Sequence, residues 1–264
     1  MSVPLYLVDA FSNRPFAGNP AAVCLPDAGR DRVWMQAAAA EMNQAETAFL
    51  RRRDNGDWDL RWFTPTVEVE LCGHATLASA HVLWETGRVP APNSIRFHTH
   101  SGILTCTRRD TRIEMDFPAE PASPVQSPAE EAFALGVSPT FVGRNRMDML
   151  VVIDSAAELR RLVPDFNQVA QIKARGVIVT AKSDVPEADF VSRFFAPQSG
   201  INEDPVTGSA HCCLGPYWRG VLGKDELVGY QASKRGGTVG VRCVGSRVFL
   251  GGSAVMVVEG QLRA

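Results

Sequence analysis

Two carboxylic acids, a histidine and a cysteine occupy positions in this chain from which protons could be moved. Glu46 directly precedes the apolar stretch Thr47 to Leu50, a strand entry that would bury it in part. A carboxylate in such a place is costly unless it is partnered or protonated, so Glu46 is a candidate base. The competing reading is a helix-end acid facing solvent. Asp204, in Asn202-Glu203-Asp204-Pro205, is the second candidate acid, although an aspartate before proline also serves as a turn or cap residue. His74 follows Gly73 at a predicted helix start, where the dipole favours a neutral imidazole able to give or take a proton near neutral pH. A histidine there also serves simply as a cap. Cys72 precedes the same start, where a thiol has a lowered pKa and suits a nucleophile or proton carrier; its other reading is packing.

These residues must be positioned by the elements around them. Short runs rich in Val, Phe, Leu and Ile alternate with turn clusters, which predicts a strand-dominated α/β (α+β) chain. Asp31 caps an alanine-rich helix ending near Asn43, and Gly87 stops a helix that starts near Gly73. The second helix, HATLASAHVLWET, is apolar or small almost all round and should be buried on every side. Pro118 to Pro128 carries four prolines and reads as a linker between domains 1–118 and 119–264, with the last strand able to pack on the first domain.

The two halves resemble each other. Arg61 to Ala75 reads RWFTPTVEVELCGHA and Arg193 to Ala210 reads RFFAPQSGINEDPVTGSA: each has Arg-aromatic-Phe-x-Pro, a loop, then Gly-x-Ala opening a small, apolar segment. The second loop is three residues longer, and an internal duplication is the simplest account. Two pseudo-symmetric domains would bring the helix starts at Gly73-His74 and Gly208-Ser209 to one cleft, where free N–H groups would grip a carboxylate. Direction comes from broken symmetry. Glu46 has no acid at its counterpart near Arg175-Gly176, and Thr207 stands where Cys72 does, so a two-thiol racemase lacks its second thiol.

Composition narrows the class. The chain has 264 residues, 45% hydrophobic and 21% charged, as soluble globular proteins do. A net charge of -2 gives no footprint for nucleic acid, and Arg51-Arg52-Arg53 is followed at once by Asp54. The start has no basic region before a short apolar run, so no secretory signal is expected, and no apolar run is long enough for a membrane span. A soluble, cytoplasmic protein with no membrane or nucleic-acid partner is expected. Six scattered cysteines suggest reduced thiols, and with no CxxC pair and no His-xxx-His spacing the sequence offers no metal site.

The stretches Asp9 to Val23 (DAFSNRPFAGNPAAV), Gln44 to Phe49 (QAETAF), Phe63 to Leu77, Arg193 to Ala210 and, more loosely, Gln231 to Gly237 (QASKRGG) resemble the PhzF-like family of phenazine biosynthesis, similar in fold to diaminopimelate epimerase and proline racemase. The resemblance spans nearly the whole chain. It implies two like domains, each a mostly antiparallel sheet curled around a central helix, and a homodimer. It also implies isomerisation by proton transfer with no cofactor or metal, as with trans-2,3-dihydro-3-hydroxyanthranilate. The family's catalytic glutamate falls on Glu46, its supporting residues on His74, Asp204 and Ser209, and its substrate-contacting asparagine on Asn19. Asn43-Gln44-Ala45 departs from the family's asparagine-leucine-serine before that glutamate.

The expected mechanism is a proton shift on one face of a small cyclic or amino-acid-like carboxylate. Glu46 removes and returns the proton, His74 and Asp204 support it, and the starts at Gly73 and Gly208 hold the carboxylate. Two other readings stand beside it: an amino-acid racemase or epimerase using Cys72, and a non-catalytic small-acid-binding protein.

Overall fold

The computed structural model describes residues 2–26, 29–91, 93–125 and 134–263. The chain forms two compact units, Met1–Asp116 with Gly251–Ala264, and Phe117–Leu250. Among the described residues, no helix is long and apolar enough to cross a membrane.

In the first unit β1 (Ser2–Ala10) pairs antiparallel with β2 (Asn19–Cys24), and the α1 crossover (Arg32–Met42) leads to β3 (Glu46–Arg52), parallel to β2. β4 (Trp58–Phe63) runs antiparallel to β3 and is joined at one end by β5 (Glu68–Val69). Helix α2 (Gly73–Glu85) then leads to β6 (Ile95–Thr99), parallel to β4, and β7 (Gly102–Arg109) and β8 (Arg112–Pro118) continue as antiparallel neighbours. The C-terminal strand Ala254–Arg263 lies along the whole of β1. That pairing is why Gly251–Ala264 belongs to the first unit, whereas a division at 118/119 assigns it to the second.

The second unit repeats this pairing order. β9 (Ser123–Pro124) borders β10 (Phe141–Arg144), which pairs antiparallel with β11 (Met149–Val152). Two short helices, α3 (Ala156–Arg161) and α4 (Phe166–Val169), lead to β12 (Val177–Lys182), parallel to β11. β13 (Phe190–Phe195) is antiparallel to β12; α5 (Gly208–Leu222) then leads to β14 (Glu226–Gln231), parallel to β13, and β15 (Gly237–Val244) is antiparallel to β14. Each unit thus runs antiparallel, parallel, antiparallel, parallel, antiparallel, with a helical crossover at each parallel step. The duplication seen in the loops extends to the whole topology.

Composition explains the helices. Asp31 accepts the Trp34 N–H at 2.8 Å to start α1, and Asn43 ends it in the left-handed region at φ 49°. Asparagine tolerates that conformation, and the turn delivers the chain to Glu46 three residues later. In α2 every residue from His74 to Ala80 is buried, with Val82, Leu83 and Trp84. Small side chains let the strands approach it from all sides. In α5, Gly215 leaves the room that β15 needs, since a Cβ there would lie 2.7 Å from Val241 Cγ1.

The sequence reading is revised at the linker and at two strands. Residues 119–125 are not a free linker: the Glu120 N–H donates to Cys212 O, Asn145 donates to Glu120 O, and β9 pairs with β10, so this stretch is laid onto the second unit. The rest of the expected linker, residues 126–128, lies outside the described residues. Upstream of β12 the chain makes a single helical turn, α4, and then turns, where the first unit has α1. β10 and β16 (Arg247–Gly252) escaped the sequence reading. The glycines of β16 look like a turn but serve packing, because a Cβ on Gly252 would meet Phe11 at 2.5 Å.

Register fixes the counterpart of Glu46. Thr47 pairs with Phe63 and Val177 with Phe195, the matching phenylalanines of the repeat, so Glu46 corresponds to Gly176. A Cβ on Gly176 would lie 2.2 Å from Phe194 Cζ. Gly176→Ala is accordingly expected to destabilise the chain by about 1–3 kcal/mol through overpacking, read as a lowered midpoint in urea unfolding with an unchanged slope.

Candidate functional site

In the first unit, Asn19, Glu46, Cys72 and His74 converge from three elements. Asn19 opens β2 opposite Ala10 of β1. The turn before it is built around buried Asp9, whose carboxylate accepts the Phe16 N–H at 2.7 Å. Gly18, at φ 70°, has no room for a Cβ, which would lie 2.1 Å from the Ala10 carbonyl oxygen. Glu46 opens β3 beside Ala21. Cys72 is the N-cap residue of α2 in an extended conformation, its side chain makes no cap hydrogen bond, and His74 is the second helical residue.

The distances form a directed chain. Asn19 Nδ2 lies 3.2 Å from His74 Nδ1, and His74 Nε2 lies 3.2 Å from Glu46 Oε2. An amide NH2 only donates, so Nδ1 accepts and the imidazole proton sits on Nε2, directed at the carboxylate. Burial holds the His74 pKa down at about 4, so the ring is neutral at neutral pH. Neutrality was expected from the helix dipole; the cause is desolvation. The Glu46 side chain keeps 16% of its surface exposed, which makes it partly buried and reachable. Cys72 Sγ stands 3.5 Å from His74 Nδ1.

The second unit holds Asp204, Gly208 and Ser209 around the start of α5. Asp204 Oδ2 accepts the Thr207 hydroxyl at 2.6 Å. Gln231 accepts the Thr207 N–H through Oε1 and donates to the Asp204 carbonyl through Nε2. Asp204 therefore braces a helix start, as its cap reading supposed, and the same bracing holds its carboxylate in place. Ser209 Oγ accepts from Arg175 Nη2 at 2.8 Å, and Arg175 is clamped on fully buried Asp148 by two bonds of 2.9 and 2.6 Å. Arg175 and Asp148 escaped the sequence reading, which noted Arg175 only as the place where an acid is missing. An aspartate one residue before the apolar strand β11 was the available signal for the pair.

Both loops carry the same brace. Arg61 grips Glu68 at 2.6 and 2.8 Å, Arg193 grips Glu203 at 2.7 and 2.9 Å, and each guanidinium lies over the phenylalanine two residues on. The three extra residues of the second loop leave the brace intact. Neither helix start has a side-chain cap. Their leading N–H groups are of the kind that receive an anion.

His211, in α5, is a buried contrast to His74. Its Nδ1 donates to Thr207 O at 2.8 Å, and burial lowers its pKa to about 4. Between about pH 6.5 and 4 the unfolded chain binds protons that the folded histidine refuses, so stability falls as the pH falls through that window. His211→Gln should retain the fold and lose less stability between pH 7 and 4 than the parent, by up to about 3 kcal/mol, measured by urea unfolding at each pH.

The family model for phenazine biosynthesis-like proteins, PhzC-PhzF, matches residues 8–260. A protein of Halalkalibacterium halodurans named an uncharacterized isomerase is 54% identical over 99% of both chains. The crystal structure of a PhzF-family phenazine biosynthesis protein from Enterococcus faecalis superposes with a TM-score of 0.95 at 39% identity, covering 100% of each chain. A hydroxyproline epimerase from Agrobacterium vitis, at 12% identity and a TM-score of 0.63 over 99% of this chain and 92% of that one, shares the fold alone. With the Asp9 turn, the Glu46 strand entry and both braced helix starts lying inside the matched span, this chain belongs to the PhzC-PhzF family of phenazine biosynthesis-like proteins.

Proposed function

We propose that this chain is an isomerase that shifts a carbon-bound proton on a small cyclic or amino-acid-like carboxylate, as in the isomerisation of trans-2,3-dihydro-3-hydroxyanthranilate. The observation that carries the reading is the chain from Asn19 through neutral His74 to Glu46. It presents a carboxylate at the edge of a buried site with its orientation fixed, which is what a general base needs. A carboxylate beside a neutral donor keeps more affinity for a proton than one beside an imidazolium. The relative from Halalkalibacterium halodurans and others of its kind are named isomerases, which supports the reaction class.

In this scheme Glu46 takes the proton from one carbon and returns it to another on the same face, while the His74 N–H follows the charge on the carboxylate. The uncapped N–H groups at Gly73 and His74 are the donors we assign to the substrate carboxylate and to charge developing in transfer. Asp204 and Asn19 are assigned supporting roles. A mere binder has no use for a base so held. A second reading, a racemase using Cys72, is favoured by the 3.5 Å approach of its thiol to His74.

Glu46→Gln should fold, bind substrate or a product analogue, and lose turnover by at least about a hundredfold, because the amide keeps volume and hydrogen bonding but accepts no proton. Asp204→Asn should cost less. Cys72→Ser should keep activity within about tenfold; complete inactivation with the fold intact establishes the racemase reading instead. Near-parental turnover by the Glu46→Gln protein removes Glu46 as the base.

A further inference from the structure

Glu46, Cys72 and His74 each offer one ligand atom, and those atoms lie within 4.8 Å of one another. The sequence showed no metal spacing because the donors come from two elements 26 residues apart, the entry of β3 and the start of α2. We propose that this cluster is a binding site for a thiophilic divalent cation, with Zn2+ the reference ion, and that its occupancy blocks the base.

The donor set is one such an ion accepts, and one of its edges already has the length required. Bond lengths of about 2.0 Å to nitrogen and oxygen and 2.3 Å to sulfur, at tetrahedral angles, set ligand edges of about 3.3 Å for N to O and 3.5 Å for S to N. The His74 Nε2 to Glu46 Oε2 edge is 3.2 Å and the Cys72 Sγ to His74 Nε2 edge is 4.0 Å. The thiol sits nearer Nδ1, at 3.5 Å, so meeting an ion held on Nε2 needs Sγ to swing about 1.5 Å around the ring edge, which a change of χ1 rotamer at Cys72 supplies. One sulfur, one nitrogen and one oxygen donor form a set that selects zinc, cobalt or cadmium over magnesium or calcium. Three protein donors leave a coordination position for water or an anion, as in zinc sites that are not purely structural.

Protons balance simply. The thiol releases its proton to solvent on binding, and the imidazole proton leaves Nε2 for the metal and resides on Nδ1. Asn19 serves both states: its Nδ2 donates to Nδ1 in the metal-free ring, and its carbonyl oxygen accepts Nδ1–H once the amide is turned over. The ion occupies the carboxylate and the ring nitrogen that the proton shift uses, so a metal-loaded chain cannot perform it. The Glu46 side chain is 16% exposed, enough for a hydrated ion to exchange in.

The test needs no substrate, so its outcome is separate from that of the proton-shift reading. The chelator-treated full chain is dialysed to equilibrium against Zn2+, and in parallel titrated with Co2+ and read by absorption. One zinc per chain, and a thiolate-to-cobalt charge-transfer band in the unsubstituted protein, are expected. Cys72→Ser should abolish the band and weaken zinc binding at least about a hundredfold, more than an outer-shell change costs. No stoichiometric zinc, no charge-transfer band in the unsubstituted chain, or unchanged zinc binding by a folded Cys72→Ser protein each overturns the proposal. Because the band is read without any substitution, a variant that does not fold leaves the decision intact.

Discussion

A helix buried on every side must satisfy its polar groups inside the unit that buries it. α2 is such a helix, and the arrangement of the first unit follows from that constraint. Thr76 and Ser79 turn their hydroxyls back to the carbonyls of Cys72 and Ala75. His74 is buried, so it stays neutral, with Asn19 on one side and Glu46 on the other. The strand entries of β2 and β3 are therefore tied to the helix start by one polar chain. Its members reach the same point only if the Gly18 turn and the Asn43 cap both form.

The duplicated topology shows where chemistry was added to a common frame. Both units keep the arginine to glutamate brace across the loop and an uncapped helix start after it. They differ at the strand entry. The first has a carboxylate at Glu46; the second has Gly176, with the ring of Phe194 filling the volume a side chain would take. Arg175, one residue earlier, reaches Ser209 instead. One unit thus holds an acid against its helix start and the other a guanidinium fixed by buried Asp148. Packing enforces that asymmetry, since no side chain can be restored at Gly176 without displacing Phe194.

The same cluster serves both proposals. A carboxylate, an imidazole and a thiol gathered within a few ångströms would act as a proton-transfer device when metal-free and as a zinc-type donor set when a soft cation is bound.

Strand alternation, the Asp31 and Asn43 boundaries of α1, the all-round burial of α2 and the duplication were all legible in the sequence, since each depends on local composition or on a repeated string. The motifs also singled out Asn19, Glu46, His74, Asp204 and Ser209, of which the structure brings Asn19, His74 and Glu46 into one polar chain. Three things were not legible: the laying of 119–125 onto the second unit, the Asp148 to Arg175 clamp, and the grouping of Cys72 with Glu46 and His74. Each joins residues far apart in the chain, and the identity of either partner alone carries no mark of the other. The sequence by itself determined which residues could do chemistry and which segments would be strands or helices, because propensity and patterning act within a few residues. Only the tertiary structure decided which nitrogen of His74 carries the proton and which acid it faces, because burial and register are properties of the packed unit.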